Sequence, residues 1–87
     1  MMFRMQNITG TRIRLARHIK NLTQEELATK LQLIGLTHTR NTIAKIENGF
    51  RQVLDSEIKA LADVLELPVG WFFEEDPEDA DSKNLFS

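Results

Sequence analysis

An all-α bundle of five short helices is the fold class that this 87-residue sequence predicts. Three observations support it. No stretch alternates apolar and polar residues with the period of two that a half-buried strand needs. Apolar side chains instead recur at three- and four-residue spacing, as in Ile58, Leu61, Ala62 and Leu65. Helix start and stop signals also punctuate the chain at short intervals, the clearest being Thr23 with Glu26 three residues on.

The first helix is expected from about Gly10 to Lys20, with Thr9 as N-cap and Asn21 as a left-handed residue at its end. Ile13, Leu15, Ala16 and Ile19 give it an apolar side. The second opens on the Thr23–Glu26 capping box, with Leu22 and Leu27 placed as a hydrophobic staple. It buries Leu27, Ala28 and Leu31 and runs to about Gln32. Residues 33–38 form a connection in which Gly35 is free to take an unusual backbone angle. Thr39 caps a third helix, with Ile43 and Ile46 facing inward and a stop at Asn48-Gly49. A loop over 50–54 precedes the fourth helix, whose stripe from Ile58 to Leu65 needs a buried partner. Pro68 occupies the first turn of a brief fifth helix through Phe73.

The organisation that follows is an N-terminal extension over 1–8, a folded unit over 9–73 and an acidic, disordered tail over 74–87. A chain this short buries only about 60% of its unfolded surface, so capping and tight packing must supply its stability. With no cysteine, disulfides and thiolate metal sites are excluded. His18 and His38 are too far apart for a local metal motif and neither is paired with a nucleophile, so no metal, cofactor or catalytic residue is expected. No apolar run approaches the roughly 20 residues that span a bilayer. A cytoplasmic setting is therefore expected, with no membrane partner.

Charge is divided unevenly. Residues 1–53 carry nine Lys/Arg against Glu25, Glu26 and Glu47, a net of +6, whereas residues 54–87 carry a net of −8. The overall −2 hides a basic half that suits nucleic acid and an acidic half that does not. Chance segregation of charge is the plainer alternative.

Two capped helices joined by a short connection, 23–32 and 39–48, make a helix-turn-helix candidate whose second member enters a major groove by its N-terminal end. Arg40 has the fork for guanine and Asn41 the amide for adenine. Lys45 lies one turn beyond Asn41 on the same face, and Thr42 offers a hydroxyl and a methyl. The same polar face also suits the solvated side of any amphipathic helix, so the face alone does not separate the two readings.

The stretches Leu22-Thr23-Gln24-Glu25-Glu26-Leu27-Ala28 and Asn41-Thr42-Ile43-Ala44-Lys45-Ile46-Glu47-Asn48-Gly49 resemble the phage repressor and Cro-like helix-turn-helix family, the XRE family of transcriptional regulators. So does Leu61-Ala62-Asp63-Val64-Leu65, followed by Val69-Gly70-Trp71-Phe72. The resemblance spans about residues 9–73. It implies a lambda-repressor-like domain that binds double-stranded operator DNA as a homodimer on a palindrome, most simply as a repressor. Arg40, Asn41 and Lys45 match its base-reading positions. Gln24, Thr39, Thr42, Asn48 and Arg51 match positions near the DNA backbone, where contacts position the protein without specifying sequence. Arg17 and Glu47 match a structural ion pair.

Two departures stand out. The connection through Leu33 to Thr37 is longer than in the shortest members, and Leu54 sits where a capping Thr or Ser is common, so the fourth helix starts on Asp55. Trp71, Phe72 and Phe73 cannot all face inward from so short a helix. One ring is expected in the core and an exposed one in a dimer interface. The competing function is an antitoxin or partner-docking subunit whose acidic tail engages a basic protein, with DNA binding secondary.

Overall fold

The computed structural model describes residues 8–74. Four α-helices run in order: α1 (Ile8–Ile19), α2 (Gln24–Leu33), α3 (Arg40–Glu47) and α4 (Asp55–Leu65). They are followed by a single 3-10 segment, Val69–Phe73, and no strand occurs among the described residues. The five-helix expectation is corrected here to four α-helices and a 3-10 turn. Five residues closed by Pro68 and Glu74, both in extended conformation, leave little room for the longer α-helical hydrogen bond. Pro68 itself lies just before this turn.

All four α-helices end the same way. Asn21, Gly35, Gly49 and Glu66 each take a left-handed conformation, with φ of 59°, 99°, 83° and 59°. In each case the following amide reaches back to an earlier carbonyl: Leu22 to Arg17, Leu36 to Leu31, Phe50 to Lys45 and Leu67 to Ala62. These are Schellman closures, which satisfy carbonyls that a helix end leaves orphaned. Gly35 is thus the terminator of α2, and half of the apparently lengthened connection is helix ending. Its φ of 99° is a region that a β-carbon strongly disfavours.

Helix starts follow side-chain chemistry. Thr23 Oγ1 accepts from the Glu26 amide at 3.0 Å while the Glu26 carboxylate accepts from the Thr23 amide at 2.8 Å, completing the box. Thr39 Oγ1 accepts from the Thr42 amide at 3.3 Å. Thr9, by contrast, lies inside α1 and does not cap it, since the helix already includes Ile8.

The core collects Ile13 and Ala16 from α1, Leu27, Ala28 and Leu31 from α2, Ile43 and Ile46 from α3, and Ile58, Leu61, Ala62 and Leu65 from α4. Phe72 completes it at 0% exposure, a burial worth about 1.5–3 kcal/mol. Two expected apolar positions on α1 differ: Ile19 is exposed and Leu15 only half-buried. Arg12 and Arg17, flanking the Ile13–Ala16 stripe, are buried instead. α1 packs on α3 and the 3-10 turn, while α2 packs on α3 and α4, so α3 is wedged between the first two helices.

Candidate nucleic-acid interface

On α3 the buried residues are Ile43, Ile46 and Glu47. Arg40, Asn41 and Lys45 are all exposed, and Thr42 and Ala44 are half-buried. Arg40 also shares an open depression with Gln24, Thr23 and Arg17, so the starts of α2 and α3 border one surface. The Thr39 and Thr42 hydroxyls lie 3.1 Å apart and bond to each other. In that bond one hydroxyl spends its proton as donor, and the other keeps its own O–H for a further acceptor.

A buried ionic node fixes the C-terminal end of α3. Glu47 is 1% exposed and Arg17 9%. Arg17 forks the carboxylate, Nε to Oε2 at 2.8 Å and Nη2 to Oε1 at 3.1 Å, and its Nη1 donates to the Leu22 carbonyl at 2.9 Å. Gln24 Nε2 adds a bond to Glu47 Oε1 at 3.1 Å, tying the first turn of α2 to α3. Burial pushes the Glu47 pKa up. The hydrogen bonds from Arg17 and Gln24, with the charges of Arg17 and Arg14, outweigh it and hold the group below the usual glutamate range.

A second node braces the other side, and of its members only Arg51 was among the expected sites. Arg51 forks Glu57, Nη1 to Oε1 at 3.0 Å and Nη2 to Oε2 at 2.8 Å. Glu57 Oε1 also accepts from the Leu54 amide at 2.9 Å. This bond explains how α4 starts on Leu54 without a capping hydroxyl: the carboxylate at the third helical position reaches back. His38, buried in the segment leading to Thr39, brings Nε2 within 3.1 Å of Glu57 Oε2. Gln32 Nε2 donates to the His38 carbonyl. The hydrogen bonds from Arg51 lead the causes that hold Glu57 below its usual range, and burial opposes them. Arg51, after α3, is thereby tied to the start of α4, and the His38 ring, from before α3, packs against the same carboxylate without a hydrogen bond.

Arg51 was expected at a DNA backbone, and the structure gives it a structural engagement as well, through Glu57. Asn48 is exposed at the end of α3, its Oδ1 accepting from Arg14 Nη2 at 2.9 Å. The aromatic triplet divides as geometry demands, and one part of the expected dimer surface is corrected. Phe72 is fully buried and unavailable to a partner. The Trp71 ring is half-buried, edge-on to Phe72 at 5.1 Å, with the Arg12 guanidinium 3.7 Å over it. Arg12 Nε also donates to the Trp71 carbonyl at 3.0 Å. Phe73 is the exposed ring, at 56%.

Arg12, Arg14, His38 and Glu57 went unforeseen. Arg12 and Ala16 share one helical face, four residues apart, and Glu57 follows the helix-4 start at capping-box spacing. Both signals are visible in the sequence, but a charged residue on an apolar stripe is ambiguous until its partner is known. The acidic tail beyond Glu74, with the expectation of disorder and of a protein partner there, lies outside the described residues.

The helix-turn-helix family profile matches residues 13–72, which covers all of the described elements but the first five residues of α1 and Phe73. The chain belongs to this family, of the XRE type. It is similar to an uncharacterised HTH-type transcriptional regulator of Sinorhizobium medicae, 37% identical over 70 residues. A counterpart with the same description in Rhizobium meliloti matches at the same identity and length. Each match covers 80% of this chain and 47% of the relative, so the chain spans about half the length of these relatives. No solved structure gives a significant match. No helix among the described residues is long and apolar enough to cross a membrane.

Proposed function

We propose that the chain is a sequence-specific DNA-binding transcriptional regulator that inserts α3 into a major groove. The observation that carries this reading is the division of α3. Its apolar side is buried, its polar side is open, its C-terminal end is held at Glu47, and the loop after it is held at Glu57. A helix that must read bases has to be held at one angle, and these nodes hold it. Arg40, Asn41 and Lys45 read base edges. Gln24, Thr39, Thr42, Asn48 and Arg51 meet the backbone, with Gln24 and Arg51 doing so from positions their partners already fix. The description of the rhizobial relatives as HTH-type transcriptional regulators supports the same reading.

In the finer reading the protein is a repressor that binds a palindromic operator as a homodimer, with Phe73 and the outer edge of Trp71 at the contact between copies. Selection of binding sites from random duplex DNA tests it. A palindrome with half-site centres about one helical turn apart supports the dimer. Arg40→Ala should relax one base position at a cost of about 1–3 kcal/mol. Equal loss on every sequence would remove Arg40 as a reader.

A further inference from the structure

Arg14, on α1, belongs to no role described so far. Its side chain is 44% exposed. Nη2 donates to Asn48 Oδ1 at 2.9 Å and to the Glu47 main-chain carbonyl at 3.3 Å, and Nε lies 3.5 Å from Glu47 Oε1. Three consequences follow from elementary chemistry.

Charge comes first. Glu47 supplies one negative charge to two guanidinium groups, and Arg17 takes both of its oxygens in the buried fork. The cluster keeps one positive charge, and its exposed member is Arg14. Orientation is second. A guanidinium has only donors, so the Asn48 amide must turn Oδ1 toward it. Nδ2 is then left to other partners on an exposed residue, and no hydrogen bond from it occurs among the described residues. Third, the bond to the Glu47 carbonyl occupies one of the last acceptors of α3, so Arg14 is held at a helix end that favours a cation.

We propose that Arg14 and Asn48 form a two-residue clamp for one DNA phosphate at the C-terminal end of α3, an inference that rests on the DNA-binding reading above. The guanidinium supplies the charge and the amide supplies directed donors. Arg14 fixes which edge of the amide is presented. The clamp holds backbone from α1, outside the two helices of the motif itself, and it adds affinity without sequence preference.

The test measures affinity for the selected duplex and for an unrelated one, across salt, for the parent, Arg14→Gln, Arg14→Lys, Asn48→Ala and Arg14→Gln/Asn48→Ala. Loss of one phosphate contact lowers the log–log salt slope by about 0.9, which is about eightfold in affinity at 0.1 M salt. Arg14→Gln should show this loss on both duplexes, and Arg14→Lys should keep the parent slope. The double variant should lose less than the product of the single losses, because both residues serve one phosphate. Should Arg14→Gln fail to fold, Asn48→Asp replaces it. That change keeps the acceptor for Arg14 but turns an anionic oxygen toward the phosphate, and should weaken binding more than Asn48→Ala. Parent affinity and slope in Arg14→Gln, or parent affinity in Asn48→Asp, overturn the clamp while leaving DNA binding intact. A parent protein without salt-dependent DNA binding overturns both readings.

Discussion

Glu47→Ala is the substitution from which the fold has most to lose. It removes a carboxylate that is 1% exposed and leaves the Arg17 guanidinium, itself 9% exposed, with the Leu22 carbonyl as its remaining partner among the described residues. Breaking a buried pair from one side costs about 3–5 kcal/mol, because the stranded charge loses both water and its counterion. A stable domain has only about 0.05–0.15 kcal/mol per residue in total, so the loss is comparable to the whole margin of a chain this size. At about 4–8 °C for each kcal/mol in domains of 60–100 residues, the midpoint should fall by at least about 12 °C. Thermal unfolding followed by circular dichroism reads this directly. Arg17→Met/Glu47→Leu is the control, since an apolar pair of similar volume strands no charge and should recover most of the loss. A Glu47→Ala melt within about 2 °C of the parent would refute the reasoning, as would a double variant less stable than the single one.

Three further predictions concern the two carboxylates and the rings of Phe72 and Phe73. Glu47 and Glu57 both titrate below their usual range in the folded chain. Over that interval the unfolded chain binds more protons, so stability rises with pH. The contribution is fully present well above the unfolded glutamate value of about 4.3 and is lost as pH falls through the lower folded values. Urea midpoints should therefore drop on acidification in that window, and Glu57→Gln should flatten the drop; an unchanged profile would count against the second node. Phe72→Ala should cost about 3–5 kcal/mol as a core cavity. Phe73→Ser should leave the melt near that of the parent and weaken self-association in sedimentation experiments, and a large loss of stability from it would place that ring in the core.

Much of the fold was legible because local chemistry decides it. The Thr23–Glu26 box, the Thr39 cap and the Asn48-Gly49 stop need only neighbours in sequence, and the structure shows each in place. The apolar stripes of α2, α3 and α4 were equally plain. What was not legible depends on contacts between distant residues. Arg12 over Trp71 joins positions 59 apart, and Arg14 with Asn48 joins positions 34 apart. Neither can be inferred from spacing along one helix. Glu66 is the instructive local failure. It ends α4 in a left-handed conformation that glycine usually fills, and nothing in its side chain announces that role. The exposure of Ile19 is similar: it carries a helical apolar period, but the chain turns at Asn21 before anything packs against it.

The proposed base-reading face was legible only in outline. The residues at Arg40, Asn41 and Lys45 were identifiable as polar and outward, which a solvated helix would share. The structure adds what that pattern lacked. α3 is held at Glu47 through Arg17 and Gln24, and the loop that follows it is held through Arg51 and Glu57. A helix fixed in this way suits the proposed role, which needs it to meet a groove at one angle.

The most direct test of this account is the affinity of the parent protein for its selected duplex and for a scrambled duplex, measured across salt concentration. The account predicts a selected-site preference of at least about a thousandfold, with a steep fall of both affinities as salt rises. Asn41→Ala should cost the selected site far more than the scrambled one. Equal affinity for the two duplexes at every salt concentration, untouched by Asn41→Ala, would contradict a base-reading role for α3.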